Sequence, residues 1–193
     1  MTLRISPEGR ERKMAQKKMD REAAAQQDGR TEPAVRISEA ELTEDVLEEL
    51  IRLSEDWEAE NSCHGYRKNE RADIEGNRVF LARIGETVAG YLFGHAEKAE
   101  KATSIMPEGT PVFEVEELYV RPEYRNKGIG SVLLDRVTEI ARHNNFRNIV
   151  CMVQAKNDPA IHFLLSHGFV FCGYQEFFFR NMEIGLFFSK NVR

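Results

Sequence analysis

Hydrophobic positions become regular only after Ala34, and from there they alternate or recur at helical spacing to the C-terminus. Residues 34–38 alternate and predict a short strand. Ser38 and Glu41 have the spacing of a capping box, which predicts that a helix begins there. The apolar side chains that follow are spaced as on one face of a helix: Val46, Leu47, Leu50, Ile51 and Trp57. Residues 61–76 are polar and show no period.

The middle of the chain predicts a hairpin, a loop and a further strand. Residues 77–98 contain two alternating runs around a turn at Gly85, the pattern of antiparallel neighbours. Residues 99–111 have the composition of a connecting loop. Residues 111–120 are rich in strand-forming side chains and predict a strand. This strand carries three carboxylates: Glu114, Glu116 and Glu117.

Helices and strands alternate in the C-terminal half. Residues 128–142 place their apolar side chains on one face of a helix. Residues 148–155 are an almost continuous apolar run, which is typical of a buried strand. Asp158 is the expected N-cap of the next helix, with Pro159 in its first turn, and Gly168 ends that helix.

Two strands close the chain, over residues 169–179 and 182–190. The resulting order, β-α-loop-β-β-β-α-β-α-β-β, predicts a single α/β domain with a mixed sheet over residues 34–193. The run of three phenylalanines at 177–179 and the pair at 187–188 are interpreted as core and sheet edge. A contact within a homodimer, or an apolar wall of a substrate site, is the alternative for these aromatic side chains.

Residues 1–33 have a different composition. They hold eight Lys/Arg and six Asp/Glu, which leaves 19 basic and 26 acidic residues in the rest of a chain of net charge −5. We interpret residues 1–33 as a charged N-terminal extension, flexible or forming a lone helix, with a nucleic-acid-binding arm as the alternative. The acidic remainder argues against a nucleic-acid partner and is compatible with a cationic substrate.

The chain contains no sign of a membrane anchor or a metal centre. Its apolar runs fall short of the roughly 20 residues that span a bilayer, and its N-terminus lacks the apolar core of a signal peptide. Three cysteines, Cys63, Cys151 and Cys172, are too few and too scattered for a disulfide framework. His162 and His167 lie five residues apart, which is not the i, i+4 spacing of a helical metal site. We therefore expect a cytoplasmic protein with no membrane partner and no bound metal.

Residues 121–131, RPEYRNKGIGS, join the carboxylate-bearing strand to the following helix. Gly128 and Gly130 let the backbone approach a ligand closely, and the N–H groups of the first helical turn have no partner within the helix. Together they predict an anion site, with Arg125 and Lys127 at its rim. The third glycine of the dinucleotide fingerprint and the Gly-Lys-Ser/Thr of a Walker loop are both absent.

This loop belongs to a longer stretch, VEELYVRPEYRNKGIGSVLLDRVTEIAR, which resembles the acyl-CoA-binding motif of the GNAT superfamily of N-acetyltransferases. The family pattern, Arg/Gln-x-x-Gly-x-Gly/Ala, is matched at Arg125, Gly128 and Gly130. A second segment, NDPAIHFLLSHGF, is similar to the one that follows in the family, with matches at Asn157, Ala160, Gly168 and Phe169. The two segments keep the family's order and separation, and the resemblance covers residues 34–193.

The resemblance implies a mixed, mostly antiparallel central sheet of about seven strands flanked by helices. The strands containing Val120 and Cys151 would splay apart at a cofactor cleft. It also implies acetyl-CoA as co-substrate, with the pyrophosphate cradled by backbone amides and pantetheine between the Val120 strand and Asn157. The residues implied in cofactor binding are Leu118, Tyr119, Val120, Arg125, Asn126, Lys127, Gly128, Ile129, Gly130, Ser131 and Asn157.

The resemblance further implies direct transfer of the acetyl group to a primary amine. Deprotonating an amine with a pKa near that of lysine costs about 4 kcal/mol at pH 7. A carboxylate acting directly or through water lowers that cost. Glu116 is our first candidate for this base, and Glu117 is the second. Strict alternation would put Glu114 and Glu116 on the same face of the strand, but a bulge would break that alternation. The backbone N–H of Leu118 is the expected oxyanion donor.

One position departs from the family pattern. The helix after Asn157 commonly carries a tyrosine that protonates the departing thiolate, and Leu164 occupies that position here. Tyr174, Tyr119 or water could replace it, and Tyr174 is our candidate catalytic side chain for this role. A thiolate whose pKa is near that of cysteine, about 8.5, can also leave unaided.

The acceptor is expected to be the amine of a small cationic molecule. The segment GFVFCGYQEFFFRNMEIGLFFSK is similar to the C-terminal region of the streptothricin acetyltransferase branch, which acetylates a cationic antibiotic. One alternative is acetylation of a protein N-terminus or lysine. Another is a non-catalytic acyl-CoA-binding regulatory module, which would account for the missing tyrosine.

Overall fold

The computed structural model describes residues 34–63, 65–100, 102–103, 106–179 and 182–193. The charged extension predicted over residues 1–33 lies outside these ranges. The described chain has the following elements: β1 (Val35–Ala40), α1 (Glu44–Glu60), α2 (Arg71–Ile74), β2 (Arg78–Ile84), β3 (Thr87–Lys98), β4 (Pro111–Val120), a 3₁₀ turn (Pro122–Tyr124), α3 (Ile129–His143), β5 (Asn148–Gln154), α4 (Asp158–Ser166), β6 (Val170–Gln175) and β7 (Gly185–Asn191). Among these helices, none combines the length and the apolar character needed to cross a membrane.

The seven strands form one sheet in the order β1-β2-β3-β4-β5-β7-β6. Neighbouring strands are antiparallel except β4 and β5, which are parallel. Helices α1 and α2 pack on one face through Leu50, Leu53 and Ile74. Helices α3 and α4 cover the other face, where Leu133 and Leu164 belong to the largest core cluster. The predicted α/β fold with a mixed, mostly antiparallel seven-stranded sheet is confirmed.

Strands β4 and β5 are paired over only part of their length. The last pair joins Val115 to Cys151, and beyond it β4 runs on to Val120 and β5 to Gln154 without pairing to each other. The predicted splaying of these two strands is therefore present. It opens a wedge in the middle of the sheet, where each strand has a neighbour only on its other side.

The pairing of β3 with β4 changes register beside this wedge. Phe93 lies opposite Glu117, whereas Gly94 lies opposite Val115, so Glu116 is an extra residue of β4 without a partner. A bulge of this kind reverses the alternation of side chains along the strand. As a result the Glu117 side chain points to the face covered by α1 and α2.

Two helices begin at different residues from those predicted. Ser38 lies inside β1, which continues past it in the sheet, and α1 is instead capped by Thr43, whose hydroxyl accepts from the Val46 N–H at 3.4 Å. The cap of α4 is Asn157 rather than Asp158. Thr43 has the extended backbone that is typical of an N-cap residue, and the Asn157 side chain accepts a hydrogen bond from a backbone N–H group of α4.

The polar segment over residues 61–76 contains α2, which the absence of a hydrophobic period did not indicate. A reciprocal capping box holds its single turn, with the Glu70 N–H donating to the Asp73 carboxylate at 2.8 Å. Within α2 itself only Ile74 is buried. Capping rather than periodicity therefore defines this helix.

The C-terminal strands are shorter than predicted. β6 ends at Gln175, and the run of three phenylalanines lies in the turn before β7, where Phe177 has a φ of 55°. Phe177 and Phe178 are exposed, whereas Phe188 is buried in the core. The strand prediction for residues 176–179 is wrong because a left-handed residue interrupts the extended chain. The homodimer contact stays a prediction.

Gly94 is required by the close approach of β3 to the bulged strand. A Cβ atom built at Gly94 would lie 2.0 Å from the carbonyl oxygen of Glu114 and 2.9 Å from the Phe113 ring. We expect Gly94→Ala to destabilise the fold by about 1–3 kcal/mol, because the backbone must shift to admit the methyl group. Chemical denaturation measures the change.

Gly85→Asn is the matched control for Gly94→Ala. Gly85 has a φ of 59° with no atom near its Cβ position, and asparagine tolerates that conformation. Equal stability losses in the two variants would contradict the steric explanation.

Candidate active site

The loop between β4 and α3 presents a row of backbone N–H groups. Gly128 precedes α3 with a φ of 83°, and Asn126 has a φ of 60°, so the chain turns sharply twice before the helix begins. The N–H groups of residues 126–131 have no backbone acceptor within the described chain. A Cβ atom on Gly130 would lie 3.4 Å from the Phe163 ring. The glycines therefore allow a tight, open-faced cradle at a helix N-terminus, suited to an anion.

The two basic side chains of this loop have different surroundings. The Arg125 guanidinium donates to the Val120 carbonyl at 2.8 Å and to Glu60 at 2.7 Å, and it lies over the Tyr119 ring. Lys127 is exposed, with its ammonium 5.7 Å from the Tyr124 ring centroid. Arg125 thus braces the loop against β4 and α1 and lines the neighbouring cleft, whereas Lys127 has an exposed ammonium on the same loop.

The wedge between β4 and β5 is the floor of a cleft of about 1320 Å³. The N–H of Arg121 donates to Ala89 on β3, so the alternation of the strand directs the backbone of Leu118 and Val120 to the opposite edge, into the cleft. Asn157 lines the other wall, where its Oδ1 caps α4. The structure thus brings together the predicted phosphate loop, the free strand edge and Asn157.

The Glu117 carboxylate lies in this cleft at the centre of a hydrogen-bond network. Its Oε1 accepts from the Tyr91 hydroxyl and from Asn69 Nδ2 at 2.8 Å, and its Oε2 accepts from the Tyr66 hydroxyl at 3.0 Å. Burial raises the pKa of Glu117 to about 7, although the three donors act against that rise by favouring the charged form. A carboxyl group with a pKa near neutrality can accept a proton and release it again.

Glu116, the bulge residue, has a different environment. Its side chain is 43% exposed, and its Oε1 lies 3.5 Å from His95 Nδ1. Burial raises the pKa of Glu116, and nearby His95 lowers it. Both glutamates line the cleft, but only Glu117 is held by several donors.

Glu114 completes a small group of side chains with Glu116 and His95. One potential ligand atom of each lies within 4.8 Å of the others, an arrangement that could hold a divalent cation. Burial, and then the neighbouring Glu97, raise the pKa of Glu114 to about 8. The expectation of a metal-free protein stays a prediction.

The residues considered for the role of general acid lie in different parts of the structure. Leu164 is buried in the core and lines the cleft, so its position offers no hydroxyl group. Tyr174 is 66% exposed on β6 and is not among the described residues that line the cleft. The Tyr119 hydroxyl donates to Glu60 at 2.6 Å. Water is the remaining candidate from the sequence.

Three residues that hold Glu117 had no signal in the sequence. Tyr66 and Asn69 belong to a polar segment without a period, and Tyr91 is one apolar position among many in a buried strand. Tyr66 and Asn69 contact Glu117 in the fold although they precede it by 51 and 48 residues in the sequence. Only the folded structure brings them to the same carboxylate.

The half-buried Glu114 carboxyl makes stability depend on pH. Its folded pKa, about 8, lies above its usual value of 4.5, so folding carries a cost that is complete above pH 8 and is lost progressively as pH falls from about 8 toward 4.5. We expect Glu114→Gln to stabilise the protein by about 1–3 kcal/mol at pH 9 and to change little at pH 5. Thermal unfolding at the two pH values measures this.

Glu86→Gln, in the exposed turn between β2 and β3, is the control for Glu114→Gln. It should give the same small effect at both pH values. A Glu114→Gln variant that is no more stable than the parent at pH 9 would contradict the assignment of a buried, uncompensated carboxylate.

Comparison with known proteins places this geometry in a family. The sequence profile described as the acetyltransferase (GNAT) family matches residues 42–169. Streptothricin acetyltransferase from Streptomyces lavendulae is 39% identical over 59 residues, which is 31% of this chain and 31% of that protein. The chain therefore matches less than a third of the length of this curated relative.

Solved structures share the fold. The crystal structure of nourseothricin acetyltransferase superposes with a TM-score of 0.52 and 25% identity, over 62% of this chain and 67% of that one. A GNAT family acetyltransferase from Elizabethkingia anophelis, with acetyl-CoA bound, superposes with a TM-score of 0.59 and 14% identity, over 81% and 97% of the two chains. The profile match spans most of the described domain, including the phosphate loop and Glu117, and the chain belongs to the GNAT family of acetyltransferases.

Proposed function

We propose that this acetyltransferase moves the acetyl group of acetyl-CoA to a primary amine of a small cationic molecule, and that Glu117 takes the amine proton. The observation that carries this proposal is the Glu117 carboxylate, held by three donors beside the unpaired edge of β4. A base at this place is adjacent to the backbone along which the acyl donor would lie.

The donor side of the cleft supports acetyl-CoA. The unpaired N–H groups of residues 126–131, with Lys127 at the rim, suit a pyrophosphate. The edge of Leu118 and Val120 would add the pantetheine as a further strand, and Asn157 would meet it from the α4 side. The Leu118 N–H is the proposed oxyanion donor. The related Elizabethkingia acetyltransferase has acetyl-CoA bound.

The proton balance follows from the groups in the cleft. The amine proton passes to Glu117, whose pKa of about 7 allows both protonation states at neutral pH. The nitrogen then attacks the thioester carbonyl, the C–S bond breaks to release a thiolate, and the nitrogen loses a second proton to water to become the neutral amide. Since Leu164 and Tyr174 supply no acid in the cleft, we assign protonation of the thiolate to water.

A cationic acceptor is supported by the charge near the base. Glu116 lies next to Glu117 on β4 and lines the same cleft, and the described part of the chain is acidic overall. Trp57 and Tyr66 supply an aromatic wall of the same cleft, which favours a cation at its face. The sequence similarity to streptothricin acetyltransferase points to an acceptor of this class.

The direct test is free-thiol release from acetyl-CoA with a panel of acceptors. We expect release with streptothricin or another small polycation, and no release above background with short peptides. Release with peptides alone would replace the small-molecule proposal by protein acetylation. Saturable acetyl-CoA binding without release for any acceptor would contradict the proposed catalytic role.

The identity of the base is tested by two adjacent substitutions. We expect Glu117→Gln to lower kcat about 10²–10⁴-fold with acetyl-CoA binding retained, since a positioned base contributes that much. Glu116→Gln, which removes the neighbouring exposed carboxylate, should lower kcat much less. The reverse order of effects, measured by steady-state kinetics, would assign the base to Glu116.

A further inference from the structure

The loop between α1 and α2 supplies two of the three donors to Glu117, and this has a consequence for the reaction. We propose that Tyr66 is a positioning residue: with Asn69, its hydroxyl fixes the orientation of the Glu117 carboxylate and leaves one site on Oε2 open to the acceptor amine. This inference rests on the proposed function of Glu117 as the base.

The hydrogen-bond geometry identifies the reactive oxygen. A carboxylate has about four acceptor sites, two on each oxygen. Oε1 accepts from both Tyr91 and Asn69, so its two sites are occupied. Among the residues that the structure describes, Oε2 accepts from Tyr66 alone. The remaining site, and thus the site of protonation, is on the oxygen that the Tyr66 hydroxyl already holds.

Packing holds the Tyr66 ring in place. Its centroid lies 4.1 Å from that of Trp57, and Trp57 in turn stacks on Tyr119 at 5.3 Å. The Trp57 Nε1 donates to Ser62 at 3.2 Å, which ties the stack to the same loop. A rigid aromatic stack leaves the hydroxyl little freedom, so its hydrogen bond determines how the carboxylate is turned.

Asn69 has an anchor of its own on α1. Asn69 is buried, and its N–H donates to Ser54 Oγ on α1 at 2.9 Å, while the Ser54 hydroxyl donates to the Ile51 carbonyl. The Tyr66 hydroxyl also interacts with Ser54 and Tyr91, so these groups form one network around Glu117. When the Tyr66 hydroxyl is removed, Asn69 and Tyr91 still have their own hydrogen bonds to donate to Glu117.

The charged and titratable groups around Glu117 come from every element packed against it. Tyr66 and Cys63 belong to the α1–α2 loop, Asp73 to α2 and Tyr91 to β3. Asp73 raises the pKa of Glu117, whereas the hydroxyl groups of Tyr66 and Tyr91 lower it by donating to the charged form. Removing the Tyr66 hydroxyl should therefore raise the pKa of the base.

The experiment is the pH dependence of kcat/KM for the full chain and its Tyr66→Phe variant. The base acts when deprotonated, so the parent should have an acid limb near pH 7. Tyr66→Phe should move this limb upward by about one to two pH units. Activity near pH 7 should then fall about 5- to 50-fold, and it should recover toward the parent value above the new limb.

Tyr119→Phe is the matched control, because it removes a hydroxyl that donates to Glu60 instead of Glu117. Its acid limb should stay where the parent has it, whatever its plateau rate. The ionisation of the acceptor amine is the same for all variants, so differences between profiles report the enzyme. Acetyl-CoA binding by each variant verifies that it is folded.

Two results would overturn the inference. One is a Tyr66→Phe profile with the parent's acid limb, and the other is a loss of activity that is uniform at all pH values, as a structural role would give. Either result, combined with an inactive Glu117→Gln variant, would reject the positioning role of Tyr66 and leave Glu117 as the proposed base. Full activity in Glu117→Gln would instead reject the proposed base, and the inference with it.

Discussion

The end of strand pairing between β4 and β5 is the constraint on which the rest of the site depends. Pairing between them stops at Val115 and Cys151, and from there each strand keeps only its other neighbour and presents an unpaired edge to the cleft. The extra residue at Glu116 has a related effect on the other side of β4, because it changes which side chains face which helices. A fully paired, unbulged β4 would have no backbone to offer a ligand and would turn Glu117 toward a different face.

The site also places groups where they cost stability. A glutamate with a pKa near 7 and a second with a pKa near 8 lie on one strand, and both values are raised mainly by burial. Folding would favour apolar side chains at such positions. The donors around Glu117 offset part of the cost by stabilising its charged form, so the hydrogen-bond network serves the fold as well as the proposed proton transfer.

The fold and the glycine-rich turn before α3 could be predicted from the sequence, because their signals are local. The periodic apolar residues, the glycines at turns and the segment around Gly128 are each part of the element that they predict, or lie within a few residues of it. The surroundings of Glu117 could not be predicted, because they depend on one bulge and on side chains about 50 residues away. The role of Arg125 was equally hidden, since its partner Glu60 lies at the far end of α1.

The stack of Tyr66, Trp57 and Tyr119 has a further use. The chain has a single tryptophan, and it lies within van der Waals reach of the tyrosine that holds the carboxylate. Its indole emission therefore comes from one place in the molecule, beside the loop that holds Glu117. The protein thus carries a built-in optical probe of that loop, which needs no added label.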